Sequence, residues 1–133
     1  MPIMAFTISC WVRKIMRLYV KKYKILGCLT RLRILNILLR HDSGLYVCEI
    51  VYILKEKQYN ISKHLNLMKM VGLIVEEKQG RRVLYKPNYT KENKDLFASV
   101  LYVADNHKET FEKDVKRIEE VVRLRRSKEC FKG

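Results

Sequence analysis

The sequence predicts a mainly α-helical fold that carries one small β-hairpin. The chain has 133 residues, which is the length of one ordinary domain. Only 5 glycines and 2 prolines interrupt it, and the abundant Leu, Ile, Lys and Arg favour helices. Apolar residues follow a helical period almost throughout and change to a strand-like pattern only near residues 73–87. These observations predict helices on both sides of a single hairpin.

The composition excludes a disordered chain and points to an anionic partner. Hydrophobic residues make up 48% of the chain, which is enough to form a buried core. The formal net charge is +14, and the excess lies in the first two-thirds, because residues 91–133 are nearly balanced. Such a field attracts polyanions. Nucleic acid is therefore a candidate partner, alongside anionic lipid or a basic face that binds nothing.

The first predicted helix covers residues 10–23. Apolar residues recur at Trp11, Ile15, Leu18 and Tyr23 with basic residues between them, which is the pattern of an amphipathic helix. The apolar run before it has no basic segment in front and no small-residue cleavage site, and it is too short to cross a bilayer. We therefore expect a cytoplasmic protein whose cysteines are reduced thiols.

A second helix is predicted after Gly27, with Thr30 as its N-cap. Gly44 then suits a left-handed position beyond the end of the helix, and residues 45–47 form a short extended segment. The residues on the buried side of the helix share helical spacing and are Leu32, Leu35, Leu38 and Leu39.

Two short helices follow, joined by a polar turn at residues 55–59. The first covers about Val47 to Leu54 and the second about Asn60 to Val71, both with apolar residues three or four positions apart. The inward residues of the second helix are Ile61, Leu65 and Met68.

The hairpin and one long helix complete the chain. Residues 73–78 and 82–87 are strand candidates around a Gly-containing turn at residues 79–81. From about Thr90 to Arg126 no Gly or Pro occurs, and the apolar spacing predicts a single helix of about 50 Å with one polar interruption. This length and spacing favour pairing with a second copy of the chain, although the helix could instead lie across its own domain.

The order of a short helix, a polar turn, a second helix and a basic hairpin is that of a winged helix-turn-helix. A recognition helix needs polar groups on the side that enters the major groove and apolar groups on the side that holds it. Arginines of the hairpin can reach phosphate or the minor groove. Asn60 and Ser62 could instead cap the helix, and His64 could be a core residue. The candidate DNA-binding residues are Gln58, Tyr59, Asn60, Ser62, Lys63, His64, Asn66, Lys69, Arg81 and Arg82.

We expect residues 1–133 to form a single winged-helix domain. Residues 1–25 would be an N-terminal dimerisation helix, and residues 26–87 the winged helix-turn-helix core. Residues 88–133 would be a long C-terminal dimerisation helix.

Four runs of the sequence resemble motifs of the ArsR/SmtB family of repressors. Residues 26–35 are similar to the family's opening L-x-x-x-T-R-L-R-I-L, and residues 45–50 resemble its L-C-V-C-D-L box. Residues 61–65 with 72–74 look like the recognition-helix signature V-S-R-H-L … A-G-L-V, and residues 79–85 like the wing x-G-R-x-V-x-Y. The resemblance covers about residues 26–87, and the motifs occur in the family's order.

The resemblance implies a homodimeric, DNA-binding transcriptional repressor that regulates transcription from an operator. An inducer, usually a metal or metalloid ion, would weaken the hold on operator DNA because it prefers the state that does not bind DNA. A thiol-reactive inducer is an alternative to a metal. A constitutive DNA-binding protein that senses no metal is a further possibility.

The sequence departs from the family in its metal ligands. Cys48 stands at the second thiolate position of the box, but Tyr46 occupies the first, so a soft-metal site would need Cys10 or Cys130 to complete it. No Cys-x-x-Cys pair occurs. An Asp-x-His fragment at residues 105–107 lacks the second ligand pair of the family's other site. Cys48 is therefore the candidate metal ligand, and no cofactor is assigned.

An enzyme is the least favoured class. The sequence shows no paired carboxylates, no nucleophile and base, no Gly-rich phosphate loop and no His-Glu-x-x-His. A basic module that binds RNA or anionic membrane is the alternative to a DNA-binding regulator.

Overall fold

The computed structural model describes the backbone of residues 2–126 and the side chains of residues 10–125. It contains six helices and three strands over these residues. The elements are α1 (Pro2–Leu26), α2 (Leu29–Arg40), β1 (Leu45–Tyr46), α3 (Val47–Leu54), α4 (Gln58–Met70), β2 (Ile74–Gln79), β3 (Arg82–Pro87), α5 (Lys94–Asn106) and α6 (Lys108–Arg126). Within these residues, no helix combines the length and the apolar character needed to span a bilayer.

The strands form an antiparallel sheet in the order β1–β3–β2. The hairpin register pairs Ile74 with Pro87 and Gln79 with Arg82, while the short β1 pairs Leu45 with Tyr85. The sequence anticipated the hairpin and an extended segment at residues 45–47, but it gave no sign that this segment joins the hairpin. The fold is thus mainly helical with a small sheet as its wing, as predicted.

The core lies where α2 meets the other helices. Ile34, Leu35, Ile37 and Leu38 of α2 are completely buried, and α2 packs on α1, α3, α5 and α6. Apolar residues on several sides of one helix make it the centre of a domain rather than a surface helix. The helix begins at Leu29 with Cys28 in the N-cap position, so the prediction of Thr30 as N-cap is wrong by two positions.

The predicted single helix from Thr90 to Arg126 is wrong, because the structure divides this segment into α5 and α6. The break is at His107, whose φ of −133° leaves the helical region and whose N–H closes the last turn of α5 on the Ala104 carbonyl. Lys108, the polar interruption in the apolar spacing, is the first residue of α6. The sequence shows no residue that would end a helix here, since neither glycine nor proline is present between residues 90 and 126.

The apolar side of α6 faces its own chain. Ile118 and Val121 belong to the core, and Phe111 is also buried. The alternative that the C-terminal segment lies across its own domain therefore holds for the described part of α6. On α1, in contrast, apolar positions of the predicted amphipathic helix are exposed in the single chain: Trp11, Leu18 and Tyr23 are 66%, 54% and 62% exposed.

Candidate nucleic-acid interface

The two sides of α4 differ sharply in burial. Ile61, Leu65 and Met68 have no exposed surface, and their spacing of four and three residues places them on one face. Burying three such side chains holds α4 against the rest of the core. On the opposite face the structure leaves predicted recognition residues in solvent, namely Gln58, Tyr59, Ser62, Lys63 and Asn66.

The turn between α3 and α4 fixes where the exposed face begins. Lys55 ends α3 in the left-handed conformation, with φ 55° and ψ 41°, and its N–H donates to the Val51 carbonyl. Glu56 then accepts hydrogen bonds from the Lys57 backbone N–H and from the Asn60 side-chain amide, at 3.1 and 2.9 Å. These two bonds, the Asn60 bond first, lower the pKa of Glu56. The Asn60 side chain therefore stabilises the start of α4. This favours the structural role at the helix start over a direct contact with DNA.

His64 connects α4 to α2. Its Nδ1 accepts a hydrogen bond of 3.0 Å from Arg31 Nε, and Arg31 Nη1 also donates to the Ile25 carbonyl. Partial burial, and then the Arg31 guanidinium, lower the pKa of His64. Both the accepted hydrogen bond and the neighbouring cation favour neutral imidazole. His64 is thus half-buried and hydrogen-bonded to Arg31. It is neither a fully buried core residue nor a side chain that is free to contact DNA.

Lys69, in the last turn of α4, forms an ion pair of 3.3 Å with Glu76 of β2. Both side chains are about one-third exposed, so the pair contributes little free energy. It does tie the end of the helix to the first strand of the hairpin.

The hairpin tip carries two exposed arginines with different surroundings. Gly80, with φ 65°, makes the turn, and Arg81 follows it in solvent. The Arg82 guanidinium lies 5.3 Å from the centre of the Tyr46 ring. Tyr46 in turn donates its hydroxyl proton to Gln79 Oε1 at 2.8 Å. Tyr46 therefore holds both strands at the tip to the start of α3.

The start of α3 is also held by α6. Glu49 is 3% exposed, its Oε1 accepts from the Tyr46 backbone N–H at 2.8 Å, and it forms an ion pair with Arg125. Arg125 Nε contributes a bond of 2.9 Å to the same carboxylate, and its Nη2 donates to the Gly44 carbonyl. Sequence reasoning missed Arg31, Tyr46 and Arg125, because each acts on residues far away in the sequence and no local pattern marks them.

Cys48 lies half-buried on α3. Burial, and then the neighbouring Glu49 carboxylate, raise the pKa of its thiol, which lowers the fraction of thiolate that binds soft metals. Among the residues that the structure describes, no group of three His, Cys, Asp or Glu side chains is arranged to hold a metal ion. Of the candidate partners, Cys10 is exposed on α1, and Cys130 lies outside the described residues.

Residues 28–75 match the model of the bacterial regulatory protein, arsR family. The chain is 41% identical over 58 residues to an uncharacterised HTH-type transcriptional regulator of Methanocaldococcus jannaschii, a match that covers 44% of this chain and 64% of the relative. It is 39% identical over 67 residues to the arsenical resistance operon repressor of Escherichia coli, covering 50% of this chain and 56% of the repressor. The chain thus spans less than two-thirds of the length of either curated relative.

The fold is similar to that of a solved winged helix. The homodimeric winged helix-turn-helix DNA-binding domain of a possible ArsR-family transcriptional regulator from Mycobacterium bovis superposes with a TM-score of 0.59 and 27% sequence identity. The match covers 71% of this chain and 85% of that domain.

Proposed function

We propose that this chain, whose residues 28–75 match the model of the arsR family of bacterial regulatory proteins, is a transcriptional regulator of that family that binds operator DNA. The observation that carries the proposal is the asymmetry of α4. Its apolar face is sealed in the core by Ile61, Leu65 and Met68, and its polar face is open to solvent beside a basic hairpin. A helix held in this way can enter a major groove without disturbing the core.

The exposed residues of α4 supply groups that suit base edges. Asn66 and Gln58 offer both a donor and an acceptor, which is the pattern that adenine matches in the major groove. Lys63 can reach guanine or a phosphate, and Ser62 can bond to either. Asn60 and His64 act mainly by fixing the helix, since their side chains are already bonded to Glu56 and Arg31.

The wing would contact the DNA backbone. Arg81 is free to follow a phosphate, whereas Arg82 is placed by the Tyr46 ring. Backbone contacts of this kind add affinity and salt dependence without reading sequence. The net charge of +14 acts in the same direction by speeding encounter with DNA.

The regulator would act as a homodimer. Exposed apolar side chains concentrate on α1, where Val12, Met16 and Tyr23 are among them, and on α5, where Tyr102 is 70% exposed and Val103 39%. Apolar patches of this kind mark interaction surfaces. Contact between copies through α1 and α5 would also present two recognition helices to one duplex. These two helices fall in the segments at residues 1–25 and 88–133 from which the sequence predicted dimerisation.

Repression is the direction of control that the relatives support. One of them is named a repressor of an arsenical resistance operon. Relief by a metal or a thiol-reactive inducer through Cys48 has less support in this chain, because burial disfavours its thiolate. The protein would act by binding alone, in the cytoplasm where the DNA lies.

Duplex binding at several salt concentrations tests the proposal. The affinity of wild-type protein for a labelled duplex should fall steeply with salt, and Arg81→Ala with Arg82→Ala should reduce the logarithmic slope by about 0.9 for each phosphate that the wing no longer neutralises. Lys113→Ala with Lys116→Ala on α6 makes the same charge change and is the control.

Two results would contradict the proposal. One is the absence of duplex binding at low salt, with binding instead to anionic vesicles or RNA. The other is an equal loss of affinity in the wing variant and in the control variant, which would show that only net charge matters.

A further inference from the structure

A pocket of about 380 Å³ lies between α1 and the segment that joins β3 to α5. Its α1 side is mostly apolar and aromatic, and its other side is formed by the chain just after α4 and just after β3. Pockets of this size hold small organic molecules. The α1 side consists of Trp11, Ile15, Leu18, Tyr19 and Lys22.

Lys22 is a buried cation in this pocket without a paired anion. Its side chain is 7% exposed, yet none of the ion pairs among the described side chains includes it. Its Nζ donates to Asn93 Oδ1 at 2.7 Å and lies 5.9 Å from the centre of the Tyr19 ring. Both partners are neutral, so they compensate the charge only in part. A buried ammonium is costly unless an anion pairs with it.

We propose that this pocket binds a small organic carboxylate, with its carboxylate on the Lys22 ammonium and its apolar body against the aromatic wall. A single negative charge fits best, because Glu92 on the rim of the pocket repels a more highly charged ligand such as phosphate. The aromatic rings of Trp11 and Tyr19 suit a flat apolar group. The site lies apart from Cys48 and from the polar face of α4.

The site is connected to the DNA-binding elements through Asn93, which is completely buried. While Asn93 Oδ1 accepts from Lys22, its Nδ2 donates to the carbonyls of Gly72 and Asn88, at 2.9 Å each. Gly72 follows the end of α4, and Asn88 follows β3 and also donates to the Gly72 carbonyl. A carboxylate that draws Lys22 away from Asn93 would loosen the point where recognition helix and wing meet.

This coupling rests on the proposed function, whereas binding itself does not. A ligand that prefers one arrangement of the Asn93 bonds must shift DNA affinity, and DNA must shift ligand affinity by the same factor. The two claims can therefore be measured separately on one protein.

Trp11 is the only tryptophan of the chain and reports directly on the pocket. The full-length protein is titrated with phenylacetate and with phenylacetamide, a neutral molecule of nearly the same shape, while Trp11 fluorescence is recorded. We expect a saturable change with phenylacetate and an affinity at least about tenfold lower for the amide, because the amide cannot form the charge-assisted bond. Equal affinity for the two molecules, or no saturable change with either, would overturn the proposal.

Two variants locate the binding group. Lys22→Met removes the buried ammonium and keeps the length of the side chain, while Lys21→Met makes the same charge change at an exposed neighbour on the same helix. Phenylacetate should bind about tenfold or more weakly to the first and with unchanged affinity to the second. Equal binding to both would overturn the assignment. The comparison of acid and amide on wild-type protein stands even if Lys22→Met does not fold.

The coupling is measured by repeating the duplex titration with and without saturating phenylacetate. A change in duplex affinity that is absent in Lys22→Met supports the coupling. Phenylacetate binding with unchanged duplex affinity would overturn the coupling. Failure of the protein to bind any duplex would contradict the proposed function and would leave the Trp11 titration as a valid test of the site.

Discussion

Replacing Asp114 by asparagine should destabilise the protein strongly, because Asp114 anchors α6 beneath the helix-turn-helix. Its side chain is 1% exposed, and it accepts two hydrogen bonds from Arg33 of α2, from Nε at 2.8 Å and from Nη2 at 2.9 Å. Arg33 Nη2 also donates to the Leu54 carbonyl at the end of α3, and Arg117 lies 3.8 Å from the same carboxylate. The hydrogen bond to Asp114 raises the pKa of Arg33. Arginine is basic enough to stay charged in a protein even without such a partner, so Asp114→Asn would leave an unpaired guanidinium.

The magnitude follows from the geometry. Removing one partner of a buried pair costs about 3–5 kcal/mol. Arg33 is 22% exposed and keeps its hydrogen bond to the Leu54 carbonyl. Solvent and this bond therefore still stabilise part of its charge in the variant. We therefore expect a loss of about 3 kcal/mol, at the lower end of that range. Asp105, which pairs with Arg40 on the surface and is 60% exposed, is the matched control, and its change to asparagine should cost less than about 1 kcal/mol.

The assay is urea unfolding followed by far-UV circular dichroism, with both variants and the wild type at one protein concentration, since the stability of the proposed dimer would depend on concentration. Replacing Arg33 and Asp114 together by Met and Leu should recover much of the stability, because the unpaired Arg33 charge is removed as well and Arg117 keeps its hydrogen bond to the Ile53 carbonyl. If Asp114→Asn is no more destabilising than Asp105→Asn, the pair does not anchor α6 as described.

Three further predictions concern single groups. As pH falls, the unfolded chain protonates His64 first because its folded pKa is lowered. The contribution of neutral His64 to the free energy of unfolding is therefore complete above about pH 6.5, and it is lost as the pH falls towards the folded pKa. Arg31→Met should raise the pKa that NMR measures for His64, and an unchanged value would refute the contact. Gly44→Ala should cost at least about 2 kcal/mol in thermal unfolding, because its φ is +113° and a Cβ would lie 2.5 Å from a leucine side chain. Gly80→Ala, whose Cβ meets nothing within 4 Å, should cost about 1 kcal/mol, and equal costs at the two glycines would contradict the steric role of Gly44. Alkylation of Cys48 at pH 7, followed by mass spectrometry, should be slower than that of a free cysteine peptide, and faster reaction would show an exposed thiolate.

Apolar spacing and turn residues in the sequence correctly predicted several helices and strands. The bounds of α3 and β3 agree with the sequence to the residue, because apolar spacing and flanking turns define both. The buried side of α4 was also predicted correctly, since three apolar residues at helical spacing have one way to face the core. The candidate DNA-binding residues, in contrast, remain a prediction that only binding experiments test.

Tertiary contacts decided what the sequence could not show. The break at His107 lets α6 turn back onto α2 and α3, and no glycine or proline marks it. The exposure of Trp11 and Tyr23 depends on whether a second surface covers α1, which periodicity does not report. The bond from Arg31 to His64 joins residues 33 positions apart, so no sequence pattern could have distinguished a partnered histidine from one that is free to contact DNA.

The specificity ratio of one α4 variant is the decisive measurement for DNA recognition by this helix. A preferred duplex is first selected from a random pool, and its affinity is then compared with that of a scrambled duplex at one salt concentration. Asn66→Ala should reduce the ratio about tenfold while leaving affinity for the scrambled duplex nearly unchanged, because the alanine cannot bond to a base edge and the backbone contacts remain. Asn106→Ala on α5 should leave the ratio as it is in the wild type. An unchanged ratio in Asn66→Ala and in Ser62→Ala alike would show that the polar face of α4 does not read DNA.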